Sequence, residues 1–202
     1  MKFKEYSIMA NLTRADLWSL EQYAEKRPEF RTQVMAHKKT REVCIGNNAR
    51  LCFEDETTIR YQIQEMLRVE RIFEAEGIQE ELDSYNPLLP EGQNLKATFM
   101  LEYDDIDERK VMLQNLKGVE RQIWAQVGDR PRIVPVADED MERENEEKTS
   151  SVHFLRYEFS ADDIAALRAG ESFTMGIDNH HIQPNSILLE DPVRSALIAD
   201  FA

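Results

Sequence analysis

Few residues in this chain have types and spacings that could do chemistry. Cys44 and Cys52 stand on either side of Gly46-Asn47-Asn48, a hairpin turn signal. A five-residue loop would set the two thiols opposite each other, within reach of oxidation to a disulfide, and a four-residue loop would not. They lack C-x-x-C spacing, and Arg50 is the basic residue placed to lower a thiol pKa, so two inert thiols are expected. The histidines are His37, His153, His180 and His181. None stands in H-x-x-x-H, H-E-x-x-H or E-x-x-H spacing, so helical zinc and di-iron signatures are missing and no metal is expected. A nucleophile elbow, a P-loop and a dinucleotide glycine fingerprint are also missing, so no cofactor is expected.

One carboxylate stands out. Helical spacing over 59–76 places Ile59, Ile63, Met66, Leu67, Val69 and Phe73 on one apolar arc, with Glu70 near its middle. Gln62 falls between Val69 and Phe73, and Tyr61, Ile72 and Glu65 widen the surface. Arg60, Gln64, Arg68 and Arg71 are left for water. A carboxylate centred on an apolar face needs a partner, and Lys38, Arg41, Lys96, His37 and His153 are the candidates. His37, Lys38, Arg41, Gln62, Glu65, Glu70 and His153 are therefore the expected ligand- or partner-binding set.

The elements that would position these groups are legible as local patterns. Thr13 caps a helix over about 14–26, and a second helix beginning at Pro28 runs to about 39. The cysteine hairpin follows, then a long central helix over 58–76 stopped by Gly77. A short helix near 79–82 leads to the Pro-bounded loop 86–92. Residues 95–103 alternate apolar and polar as a half-buried strand. A helix over 107–116, a hairpin of 121–127 with 132–136 turning at Gly128-Asp129, and a charged connector at 138–149 come next. The chain closes with a strand at 152–159, a helix capped by Ser160, a strand at 173–177 and a helical tail from 193. The pattern predicts an α+β fold, a mainly antiparallel sheet with packed helices. One compact domain over 1–202 is expected, with a variable leader at 1–12 and a subdomain boundary near 86–94.

The chain has 202 residues and a formal net charge of −14. That surplus of carboxylates repels phosphate backbones and anionic lipid, which argues against nucleic-acid and membrane partners. No apolar run reaches the ~20 residues a bilayer span needs. The start of the chain has no apolar h-region, so a cytoplasmic location is expected.

Several stretches together resemble an uncharacterised bacterial family. They are His37-Lys38-x-x-Arg41, Phe53-Glu54, Gln62 through Glu70, Glu80-Glu81-Leu82, Asn86-Pro87-Leu88, Leu95-Lys96-Ala97, Glu144 through Thr149, and Val152-His153-Phe154-Leu155. Members of that family are often encoded beside a rubrerythrin-type di-iron protein and an iron–sulfur oxidoreductase. The resemblance implies one of these as protein partner. It also implies an accessory, partner-binding role in peroxide defence or electron transfer. It assigns no catalytic residue. The rival expectation is an enzyme or metal-binding protein with a polar site around the central helix.

Overall fold

The structure, a computed structural model, describes residues 11–141, 143 and 147–202. The expected leader lies outside them except for Asn11 and Leu12, as do positions 142 and 144–146 of the charged connector. Leu12 is docked: its N–H donates to the Asn86 side-chain oxygen at 2.9 Å, and its carbonyl accepts from the same amide at 3.0 Å.

The fold is α+β. Strands β1 (Glu42–Ile45), β2 (Ala49–Phe53), β3 (Asn94–Leu101), β5 (Val136–Ala137) and β6 (Val152–Glu158) form one sheet in the order β1-β2-β3-β6-β5. Strands β4 (Ile123–Val127), β7 (Phe173–Ile177) and β8 (Ser186–Leu188) form a second sheet in the order β4-β7-β8. All the pairings are antiparallel. Alternate residues of β2 and β6 are buried, so each strand offers one face to a core and the other outward. Leu51, Phe99, Leu155 and Tyr157 from the first sheet share that core with Val127, Phe173 and Met175 from the second.

Three helices precede or interrupt the first sheet: α1 (Leu20–Lys38), α2 (Glu56–Glu70) and α3 (Ala75–Tyr85). They carry two apolar clusters of their own. Ile59, Ile63, Leu67 and Leu82 join Leu12 and Leu89 in one, and Tyr23, Phe30, Val34 and Tyr61 form the other. Helices α4 (Ile106–Asn115), α5 (Ala161–Arg168) and α6 (Val193–Ile198) flank the sandwich.

Three local expectations are corrected. Residues 14–16 form only a short 3-10 turn, and α1 begins after Ser19, whose hydroxyl accepts from the Gln22 N–H. It then runs unbroken through Pro28. Proline inside a helix loses a hydrogen bond and crowds the preceding turn, at about 3 kcal/mol. Burial of Tyr23 before it and of Phe30 and Val34 after it outweighs that cost. The central helix stops at Arg71, which is left-handed at φ 56°, and not at Gly77. Gly77 lies inside α3, where a Cβ would stand 2.8 Å from Ile72 Cγ2, so it permits the close return of α3 onto the turn. The longest helix is α1, with 19 residues, rather than the central one, with 15.

The hairpin expected between 121–127 and 132–136 is reduced to one bridge, Ala125 with Ile133. Pro131 and Pro135 flank that bridge without N–H donors, so a ladder cannot extend. The main partner of β4 is β7, and Val136–Ala137 joins the other sheet.

Candidate functional site

The outward face of the first sheet is where polar and aromatic side chains meet. Antiparallel pairing sets Thr98 beside Phe154 and Lys96 beside Arg156. These two strands floor a cleft of about 670 Å³. Tyr85, Pro87 and Leu88, at and just after the end of α3, form one wall. Glu139, Asp140 and Met141 form another, and Glu54 closes one end. The volume is that of a typical ligand or side-chain pocket.

Each charge in the cleft is held in place. Lys96, 9% exposed, donates from Nζ to the Pro87 carbonyl at 2.8 Å and lies 3.4 Å from Glu91 Oε1. Arg156 grips Glu139 through two bonds of 2.7 and 2.8 Å and also pairs with Glu158. That grip holds the Glu139 carboxyl below the ordinary carboxylate range. Glu54 accepts hydroxyl bonds from Thr58 at 2.6 Å and Thr98 at 2.7 Å. Asp83 accepts from the Gln79 amide at 2.7 Å. Among the described residues neither Glu54 nor Asp83 has a cationic partner within 4 Å. The Arg143 guanidinium lies 4.6 Å from the centroid of the Phe154 ring on the floor.

The seven residues expected to form one site fall in separate places, and none lines this cleft. His37 and Arg41 come together at Asp55: His37 Nε2 donates to its Oδ2 at 2.5 Å, and an Arg41 guanidinium nitrogen lies 3.4 Å from the same oxygen. Arg41 is 2% exposed. It also donates to the Phe53 carbonyl at 3.0 Å and pairs with Asp200, tying the end of the chain to the sheet. Burial pushes the Asp200 carboxyl up while Arg41 pulls it down. Lys38 sits over the Tyr61 ring at 5.8 Å.

Glu65 binds α1 to α2. It accepts from the Tyr23 hydroxyl at 2.6 Å, from Arg27 at 2.7 and 2.9 Å, and from Arg68 at 3.3 Å. The Arg27 bonds outweigh burial, which acts to raise it, and bring its carboxyl down to about 2. Gln62 is half-buried on α2.

Glu70 is exposed at the end of α2, so the reading of a buried carboxylate is overturned. The arc over 59–76 assumed one continuous helix, and the turn at Arg71 destroys that phase. The buried face of α2 is instead centred on Ile59, Ile63, Gln64 and Leu67, while Val69 and Phe73 are 60% and 66% exposed. Gln64, expected in water, is fully buried because its amide oxygen accepts from the Trp18 N–H at 2.7 Å. Arg60 is also withdrawn from water, against the Trp18 and Phe30 rings.

His153 is fully buried, with Nδ1 donating to Asp138 at 2.6 Å and Nε2 lying 3.0 Å from the Thr149 hydroxyl. Thr149, His153 and Asp138 reproduce the hydroxyl–imidazole–carboxylate order of acyl-transfer triads. Thr149 is only 1% exposed, so no substrate reaches its hydroxyl. The three groups pin both ends of the connector to β6. The thiols do not face each other: Cys44 pairs with Arg50, and Cys52 with Glu42. Burial pushes the Cys52 thiol up to about 12.

Among the described residues, no group of three or more His, Cys, Asp or Glu side chains could hold a metal ion, and no helix is long and apolar enough to cross a membrane. Sequence reasoning passed over the cleft residues Glu54, Tyr85, Glu139, Phe154 and Arg156, and treated Lys96 only as a partner for Glu70. The available signal was strand alternation, which turns Lys96, Phe154 and Arg156 outward together once β3 and β6 are neighbours.

Fold and cleft define an α+β protein with a pocket between a helical layer and the outer face of an antiparallel sheet. The chain belongs to the family described as Protein of unknown function (DUF3501), whose model matches residues 11–201. It is similar to a crystal structure described as a novel protein of unknown function from Burkholderia pseudomallei. The two share 47% identity across 96% of this chain and 100% of that one, with a TM-score of 0.89. No curated protein matches the chain.

Proposed function

We propose that this protein is an accessory factor that binds a partner protein through the cleft floored by Lys96, Phe154 and Arg156. The observation that carries the reading is convergence. Four stretches that bear the family resemblance, Phe53-Glu54, Asn86-Pro87-Leu88, Leu95-Lys96-Ala97 and Val152–Leu155, come from three separated regions of the chain, and each contributes to the lining. Four carboxylates and two cations line it, Arg143 pairs with Asp140 beside it, and among the described residues Glu54 and Asp83 have no cation within 4 Å. An apolar patch around Met141, Phe154 and Leu88, with carboxylates beside it, suits a partner segment carrying a basic side chain beside an apolar one. The partner we infer is a rubrerythrin-type di-iron protein or an iron–sulfur oxidoreductase, which gives the complex a role in peroxide defence or electron transfer.

The test is a calorimetric titration of the purified chain with each purified candidate. Saturable binding to at least one is expected, weakened at least tenfold by Phe154→Asp. No binding to either, or binding indifferent to Phe154→Asp, overturns the reading.

A further inference from the structure

The two tryptophans of this chain, Trp18 and Trp124, each lie against an arginine, and the pairs differ in one respect. Arg132 Cζ stands 3.8 Å from the Trp124 ring centroid. Asp178 completes that unit: the Trp124 indole N–H donates to one carboxylate oxygen at 2.9 Å, and Arg132 donates to the other at 2.7 Å. Arg60 Cζ stands 4.7 Å from the Trp18 centroid and 5.0 Å from that of Phe30. The two rings are perpendicular, at 88°, and form a corner that holds the guanidinium. Here the carboxylate is missing. Among the described residues no carboxylate lies within 4 Å of Arg60, and neither its guanidinium nor the Trp18 indole N–H donates a hydrogen bond. Its Nε is buried with no partner.

An arginine in a chain with 39 acidic against 25 basic residues ordinarily finds a counter-ion. Asp16 is near enough for Arg60 to bear on its carboxyl, but that carboxylate is held by the Thr13 N–H at 2.8 Å and hydroxyl at 2.7 Å. Lys26 Nζ stands 5.8 Å from the Trp18 ring and adds positive charge beside the corner. A guanidinium immobilised by aromatic faces has already lost its side-chain freedom, so its N–H groups are held ready for a carboxylate oxygen.

We propose that Trp18, Phe30 and Arg60, with Lys26, form a carboxylate-binding site on the helical layer, separate from the cleft, that takes an aspartate or glutamate side chain of a partner protein. The Trp124–Arg132–Asp178 unit shows within the same molecule what the third member of such a unit is. The bound carboxylate accepts from the indole N–H with one oxygen and from Arg60 with the other, and Lys26 supports its charge. A single carboxylate matches the local balance of two cations against Asp16 better than a doubly charged phosphate does.

The site is tested on the full chain labelled with nitrogen-15, by following the two indole N–H resonances and the Arg60 Nε–H resonance. The probes are sodium acetate, inorganic phosphate and an end-capped tetraglutamate peptide, each at constant ionic strength balanced with chloride. The Trp18 and Arg60 resonances should shift saturably with the peptide and more weakly with acetate, while the Trp124 indole stays in place. Arg60→Lys keeps the charge and removes the fork, and should weaken peptide binding at least tenfold while the spectrum stays dispersed. The proposal is overturned by no saturable shift at Trp18, by equal shifts at both tryptophans, by unchanged affinity in Arg60→Lys, or by phosphate binding more tightly than the peptide.

Discussion

Replacing Glu65 by glutamine removes one charge at nearly constant shape from the contact between α1 and α2. The carboxylate receives the Tyr23 hydroxyl and two Arg27 bonds, and its pKa falls from an ordinary 4.5 to about 2. At about 1.36 kcal/mol per pKa unit, that difference corresponds to about 3 kcal/mol of stabilisation at neutral pH. Arg27 and Arg68 are 31% and 41% exposed, so water screens the interaction and about 1–2 kcal/mol is the expected loss. The sign with pH follows from the lowered pKa. Glu65 stabilises the fold fully above its unfolded pKa, and the contribution disappears as pH falls toward 2. Urea unfolding of the wild type and Glu65→Gln should therefore show a gap that is constant above about pH 5.5 and narrows steadily below it. A gap under ~0.5 kcal/mol at pH 7, or one that does not change with pH, would refute the reading of Glu65 as an ionised brace.

Cys44 is exposed while Cys52 is half-buried with its thiol pushed up to about 12, so a thiol reagent at pH 8 should modify Cys44 much faster than Cys52. Equal rates at the two would contradict the raised thiol pKa of Cys52. A Cβ at position 176 would lie 2.2 Å from Trp124 Cζ2, so Gly176→Ala should displace that ring and cost about 1–3 kcal/mol in urea unfolding, with altered Trp124 fluorescence. Arg41→Met strands Asp200, while Asp55 keeps His37 and the Thr58 N–H, and should cost about 3–5 kcal/mol, with part recovered in Arg41→Met/Asp200→Leu. No recovery in the double variant would show that the Asp200 pairing carries little of the loss.

What the sequence revealed and what it hid divide along the range of the deciding contact. The Ser160 cap of α5, the strand at 173–177 and the cysteine hairpin rest on neighbours a few residues apart, and they stand where local chemistry puts them. The continuity of α1 through Pro28 was settled by packing against α2, and the role of Gly77 by Ile72 on the turn before it. Neither contact is visible in a periodic pattern. The candidate residues show the same division. His37, Arg41, Glu65 and His153 each do hold a polar partner, as their types suggested, but Asp55, Asp200, Tyr23 and Asp138 come from elements whose placement no spacing predicts. Glu70 failed for a different reason, since one left-handed residue at Arg71 ended the helix whose phase had seemed to bury it. The cleft needed the pairing of β3 with β6, strands more than fifty residues apart.

On the proposed reading, partner binding takes place in the cleft between the helical layer and the first sheet. Hydrogen–deuterium exchange of the chain alone and saturated with a purified rubrerythrin-type or iron–sulfur oxidoreductase partner tests it most directly. Slowed exchange is expected in segments 83–88, 96–98, 139–141 and 154–156, with the β7–β8 edge unchanged. Protection confined to β8, or no protection in any cleft segment while the complex is formed, would contradict it.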